Sequence, residues 1–131
     1  MVDEQQARPD RPAAVPLSHL RIPEQVERLR QEPSWHQRKR NAITLIKQPA
    51  LGLILMVLGP GSKMHEHQAA GPMTLHVLSG AVRFQAAGQT LTLGSGEVVV
   101  LESAVEHEVE ALEESTCLLT LANPTWHNLN V

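Results

Sequence analysis

Gly61 to Gly80 reads GSKMHEHQAAGPMTLHVLSG. Lys63 and the residues after it lie between two turn signals, Gly59-Pro60-Gly61-Ser62 and Ala69-Ala70-Gly71-Pro72. Such a segment reads as a short extended strand. Residues two apart on a strand share a face. His65 and His67 therefore converge on one side, while Glu66 points to the other. That is the geometry by which an HxH pair on a strand chelates a metal, where a helix would need i, i+4 spacing. Taken alone, the pair fits two solvated or core histidines as well as two ligands, and two imidazoles make a weak site without a third.

The rest of the chain supplies candidates for that third ligand. His107 shares its face with Val105, Val109 and Ala111, an apolar row that predicts an inward-facing side chain. His76 alternates with Leu75 and Val77 and falls on the face opposite Met73, Leu75 and Val77, where packing or an interface is the expected role. His19 and His36 lie in the N-terminal region, where exposure is the default.

Downstream and upstream of the stretch, apolar alternation recurs between turn signals every eight to ten residues. Strands are expected at Ala42–Ile46, Leu51–Leu58, Met64–Gln68, Met73–Leu78, Ala81–Gln85, Gln89–Leu93, Glu97–Leu101, Glu106–Ala111 and Thr116–Ala122. This pattern predicts an antiparallel sandwich or barrel. Before it, Ile22, Val26 and Leu29 at i, i+4 and i+7 predict one short helix within residues 18–32, with Pro23 in its first turn and Pro33 ending it. Its expected role is to cover a sheet edge or a barrel end. Residues 1–17 are polar, carry three prolines and read as an extended arm. The expected organisation is an arm with a helix over 1–40, a barrel over 41–122 and a tail over 123–131.

At 131 residues the chain is one domain by length and long enough to bury roughly two-thirds of its unfolded surface. Aromatic residues make up 2%, so the core must be aliphatic. Trp35 and Trp126 fall outside the expected strands, where an indole suits a tail folded over the barrel mouth or a subunit contact. Nine of the eleven Lys and Arg lie between Arg8 and Lys47; from Gln48 onward two cations face eight Glu, a local net charge of −6. That balance, with so few aromatics, excludes a nucleic-acid partner. The single cysteine, Cys117, precludes an intramolecular disulfide, fits a reducing compartment and reads as a buried hydrophobe. No signal-peptide pattern opens the chain, and the longest apolar run, Ala50 to Leu58, is far below the ~20 residues of a membrane span. A cytoplasmic protein without a membrane partner is expected. No nucleophile elbow, P-loop or dinucleotide fingerprint occurs, so metal chemistry is the reaction-bearing signal.

The same residues resemble the cupin superfamily. Its first motif runs Gly, five residues, His-x-His, three or four residues, Glu, six residues, Gly; Gly59, His65 and His67 stand at matching positions, and Gly80 closes the stretch with six residues between it and Met73. Its second runs Gly, five residues, Pro-x-Gly, two residues, His; Gly96 and His107 match in spacing. The resemblance covers roughly residues 41–122. It implies an all-β fold, the double-stranded β-helix or jelly-roll barrel. It further implies a metal site of His65, His67 and His107 holding Fe, Mn, Ni or Zn, and a homodimer. The implied activity is dioxygenation or isomerisation of a small organic substrate. The alternative is a metal-free barrel that binds or senses a small ligand. Two departures stand out. Met73 occupies the glutamate position, and a thioether is a poor ligand for a hard ion. Glu102 and Ala104 replace the Pro and Gly of the second motif, so a different turn before His107 is expected.

Overall fold

The computed structural model describes residues 15–66 and 71–126, with all their side chains except those of 65 and 66. Nine strands follow two helices: α1 (Ile22–Gln31), α2 (Pro33–Arg38), β1 (Arg40–Lys47), β2 (Leu51–Leu58), β3 (Lys63–Glu66), β4 (Met73–Ser79), β5 (Ala81–Ala86), β6 (Gln89–Gly94), β7 (Val98–Leu101), β8 (His107–Ala111) and β9 (Ser115–Ala122). They form two antiparallel sheets, ordered β1-β2-β9-β4-β7 and β3-β8-β5-β6. This is the expected all-β jelly roll. No helix among the described residues is long and apolar enough to cross a membrane.

The core lies between the sheets. Ile54, Met56 and Leu58 of β2, Met73, Leu75 and Val77 of β4, and Cys117, Leu119 and Leu121 of β9 line one wall. Val82, Phe84, Leu93, Val109 and Ala111 line the other. β2 reads as a continuous apolar run because both its faces are covered. Its other face, Leu55 and Val57, joins Ile43 and Leu29 in a second cluster beneath α1. The helix stripe thus covers the outer face of the first sheet over its edge strand β1 and the neighbouring β2. Ile22 and Val26 pack there with Leu29, because a three-residue stripe matches the width of β1 and β2.

Pro33 ends α1 as expected, but it also starts α2, a helix the sequence reading did not include. Proline suits the first helical position, since its missing N–H would be unbonded there anyway. Trp35 of α2 packs on the second cluster, and Ser34 Oγ donates to the Arg40 carbonyl at 2.8 Å. The buried Asn41 Nδ2 donates to the Leu29 carbonyl at 2.9 Å, which satisfies one of the open acceptors at the end of α1. Arg30 reaches Glu114 at 2.7 Å and ties α1 to the β8–β9 turn.

Chain connectivity sets which groups share a barrel end. β3 ends and β4 begins on either side of residues 67–72, and β7 ends and β8 begins on either side of residues 102–106. Met73, Leu101 and His107 therefore meet at one mouth of the barrel. Gly80 marks the opposite end of β4. It has φ +91°, and a Cβ there would fall 2.4 Å from the Glu114 carbonyl oxygen, so only glycine fits this corner.

Candidate metal centre

His107 opens β8 at the mouth and is 7% exposed. Its ring stacks on Phe84, with centroids 5.8 Å apart and planes 18° from parallel. Nδ1 lies 3.3 Å from the Val105 carbonyl oxygen. A carbonyl only accepts, so this contact favours the tautomer with hydrogen on Nδ1 and a free lone pair on Nε2. That is the arrangement in which a metal-binding imidazole is held by a backbone carbonyl behind it. Burial lowers the pKa of His107 below its ordinary 6.5, with the Val105 hydrogen bond opposing in part. The neutral, ligating form is thus the resting form at neutral pH.

This shift predicts the pH dependence of the metal-free protein. The folded state resists protonation of His107 while the unfolded chain accepts it near pH 6.5. Folding stability from this group is present above pH 6.5 and is lost as pH falls through the lowered folded value. Urea midpoints taken from pH 8 down to pH 5 should decline, and His107→Gln should flatten the decline. An equal decline in the variant would assign it to other groups.

Ala104 stands in the loop before His107 where the second motif has glycine. Ala104 has φ +63°, the left-handed conformation that a glycine adopts without cost. The alanine holds this backbone at an energetic cost. An L-residue there costs about 1–2 kcal/mol, partly offset by the greater unfolded freedom of glycine. Ala104→Gly should accordingly stabilise the protein by about 0.5–1 kcal/mol, seen as a thermal midpoint raised by about 3 °C. No rise would show that the loop relaxes around alanine.

β3 pairs antiparallel with β8, residues 63–66 against 107–110. His67 and the side chain of His65 lie outside the described residues. The backbone register sets Met64 across from Val109, His65 across from Glu108 and Glu66 across from His107. Met64 packs on the core beside the buried Val109. Directly opposed positions share a face of the ladder, so position 66 falls in the His107 row and position 65 in the Glu108 row.

Met73 is 4% exposed and belongs to the main core cluster, opposite Leu101 and Leu121. The family's glutamate position is thus filled by packed hydrocarbon and sulfur. His76 is half-buried on the outer face, between Val98 and Leu118, away from the barrel interior. Cys117 is fully buried, and burial pushes its thiol up to about 12, which makes it inert rather than nucleophilic. Beside His107, the β5–β6 turn and residues 104–106 border an open groove of about 670 Å³. Among the described residues, no three His, Cys, Asp or Glu side chains converge to hold a metal.

The sequence comparison shows the family, and the structure comparison shows the fold. The sequence profile described as the cupin domain matches residues 54–123. No curated protein matches the sequence. A conserved protein of unknown function from Streptococcus pyogenes is similar in structure, with 24% identity and a TM-score of 0.63, covering 67% of this chain and 77% of that one. KdgF from Halomonas sp. shares 17% identity at a TM-score of 0.62, covering 69% of this chain and 84% of its own. Salicylate 1,2-dioxygenase from Pseudoaminobacter salicylatoxidans, in a structure of its adducts with gentisate, shares 17% identity at a TM-score of 0.71. That match covers 82% of this chain and 34% of the dioxygenase. At these identities the likeness is one of fold.

Proposed function

The chain belongs to the cupin domain family, and from that premise we propose that it binds one divalent transition metal, Fe, Mn, Ni or Zn, through His65, His67 and His107. The observation that carries this reading is His107 itself. It is a buried imidazole at the barrel mouth, its Nδ1 turned to the Val105 carbonyl, which leaves the Nε2 lone pair as its donor. A bound ion of this kind would supply Lewis acidity and open coordination positions for a small organic substrate. The chain's own residues hold the donor neutral, orient it against Phe84 and keep the mouth apolar. Dioxygenation or isomerisation is the reaction class proposed, and the salicylate 1,2-dioxygenase likeness favours the first.

Metal content of protein purified without chelator tests the reading. Less than about a tenth of an equivalent, unchanged on adding metal, would sink it. The β3–β8 register gives the test a second arm. Loss of metal in His65→Ala with retention in Glu66→Gln supports the three-histidine set. The reverse result assigns the β3 ligand to Glu66, which stands across from His107.

Met73, packed in the core where a fourth ligand would stand, favours a second reading: a metal-free barrel that binds a small apolar ligand. Ligand affinity that survives the His65→Ala, His67→Ala double substitution supports it. We also propose a homodimer. The edge strand β7 (Val98–Leu101) carries no charge, and Val98 and Val100 are 49% and 74% exposed. A monomer mass by light scattering would remove this part.

A further inference from the structure

Trp126 is held at the barrel mouth by contacts that describe a binding seat. Its ring lies over Gly52, where a Cβ would come within 2.5 Å of Cη2 and 2.9 Å of Cζ2. Gly52 alternates with Ile54, Met56 and Leu58, so the missing side chain is on the interior face. It pairs with Leu121, which pairs in turn with Met73, and Met73 with Leu101. With strands spaced about 4.8 Å, the seat lies about 10 Å from Met73 in one transverse row. Trp126 packs on the main core cluster there.

The rim of the seat is polar. Nε1–H donates to the Gln48 carbonyl at 3.1 Å, and Lys47 Nζ stands 5.8 Å from the ring centroid. The chain enters through Asn123, whose φ of +48° turns it back and whose N–H donates to the Ala50 carbonyl at 3.0 Å. An apolar floor cut to a flat ring, one acceptor at its edge and one cation over its face are the parts of an aromatic subsite.

We infer that the barrel mouth carries a seat for one planar aromatic ring, filled here by the chain's own Trp126, and that a small aromatic molecule reaches the interior by replacing it. The seat is independent of whether His107 holds a metal, and its test needs none.

Cys117 is the chain's single cysteine and lies on the interior wall beside Met56 and Val77, so its reactivity reports access. In Trp126→Ala, labelling of Cys117 by methyl methanethiosulfonate should accelerate by about tenfold or more over the parent. Free indole should slow it again with saturation and raise the thermal midpoint, while cyclohexanol, of similar bulk but not planar, should do neither. Unchanged labelling in Trp126→Ala overturns the inference, as does absence of indole protection or equal protection by cyclohexanol. Where Trp126→Ala does not fold, Trp35→Phe leaves Trp126 as the single indole of the chain. Its emission should be blue-shifted and poorly quenched by acrylamide, and Gly52→Ala on that background should shift it red. Solvent-like emission before Gly52→Ala is introduced, or no shift after it, overturns the inference equally.

Discussion

His107→Ala should abolish metal binding while leaving the barrel folded. His107 is a candidate ligand whose side chain the structure describes in full, and its surroundings serve ligation better than stability. Burial disfavours its charged form, the Val105 carbonyl holds hydrogen on Nδ1, and Phe84 fixes the ring plane. Removing a group that only orients a ligand typically costs 10–100-fold in metal affinity. Removing the ligand itself should cost at least about a hundredfold, and metal content should fall to background. The structural cost is small by comparison. The lost stack with Phe84 contributes about 0.5–1.5 kcal/mol, within the reserve of an ordinary domain. Elemental analysis and a urea melt on one preparation separate the two effects. His76→Ala, on the outer face between Val98 and Leu118, is the control that should keep its metal. Stoichiometric metal in His107→Ala would remove His107 from the site.

Phe84→Ala should produce the largest loss of stability among single substitutions near the site. Phe84 is the single phenylalanine of the chain and is 3% exposed on the interior face of β5, across from Val109. Among the buried residues of this core it is the one aromatic, and Trp126, which also packs on the cluster, is held over Gly52. Phe-to-Ala changes in cores cost about 3–5 kcal/mol. The thermal midpoint should fall by about 10 °C or more. Phe84→Leu restores most of the buried hydrocarbon but not the stack. If Phe84 also orients His107, Phe84→Leu should weaken metal binding while recovering most of the stability. Metal binding that tracks stability in both variants would confine Phe84 to packing.

Much of this was legible in the chain. Strand alternation has a period of two and is set locally, so Met73-Leu75-Val77 against Thr74-His76-Leu78 sorts into inner and outer rows before any partner is known. His107 was legible for the same reason, since Val109 and Ala111 share its row and are buried with it. The α1 stripe was visible, but its docking face was not, because a helix pattern says which side is apolar and not what it meets. α2 is signalled only by Pro33, which serves equally as the stop of α1 and as the first residue of a new helix.

The sequence by itself determined the nine strands and the family motifs that name His65, His67 and His107. Only the tertiary structure decided the β3–β8 register, the left-handed Ala104 and the seat of Trp126 over Gly52. Side-chain alternation is fixed within a few bonds. Register, strained loops and a ring laid over a glycine 74 positions earlier depend on packing between segments far apart in the chain, where burial outweighs local preference.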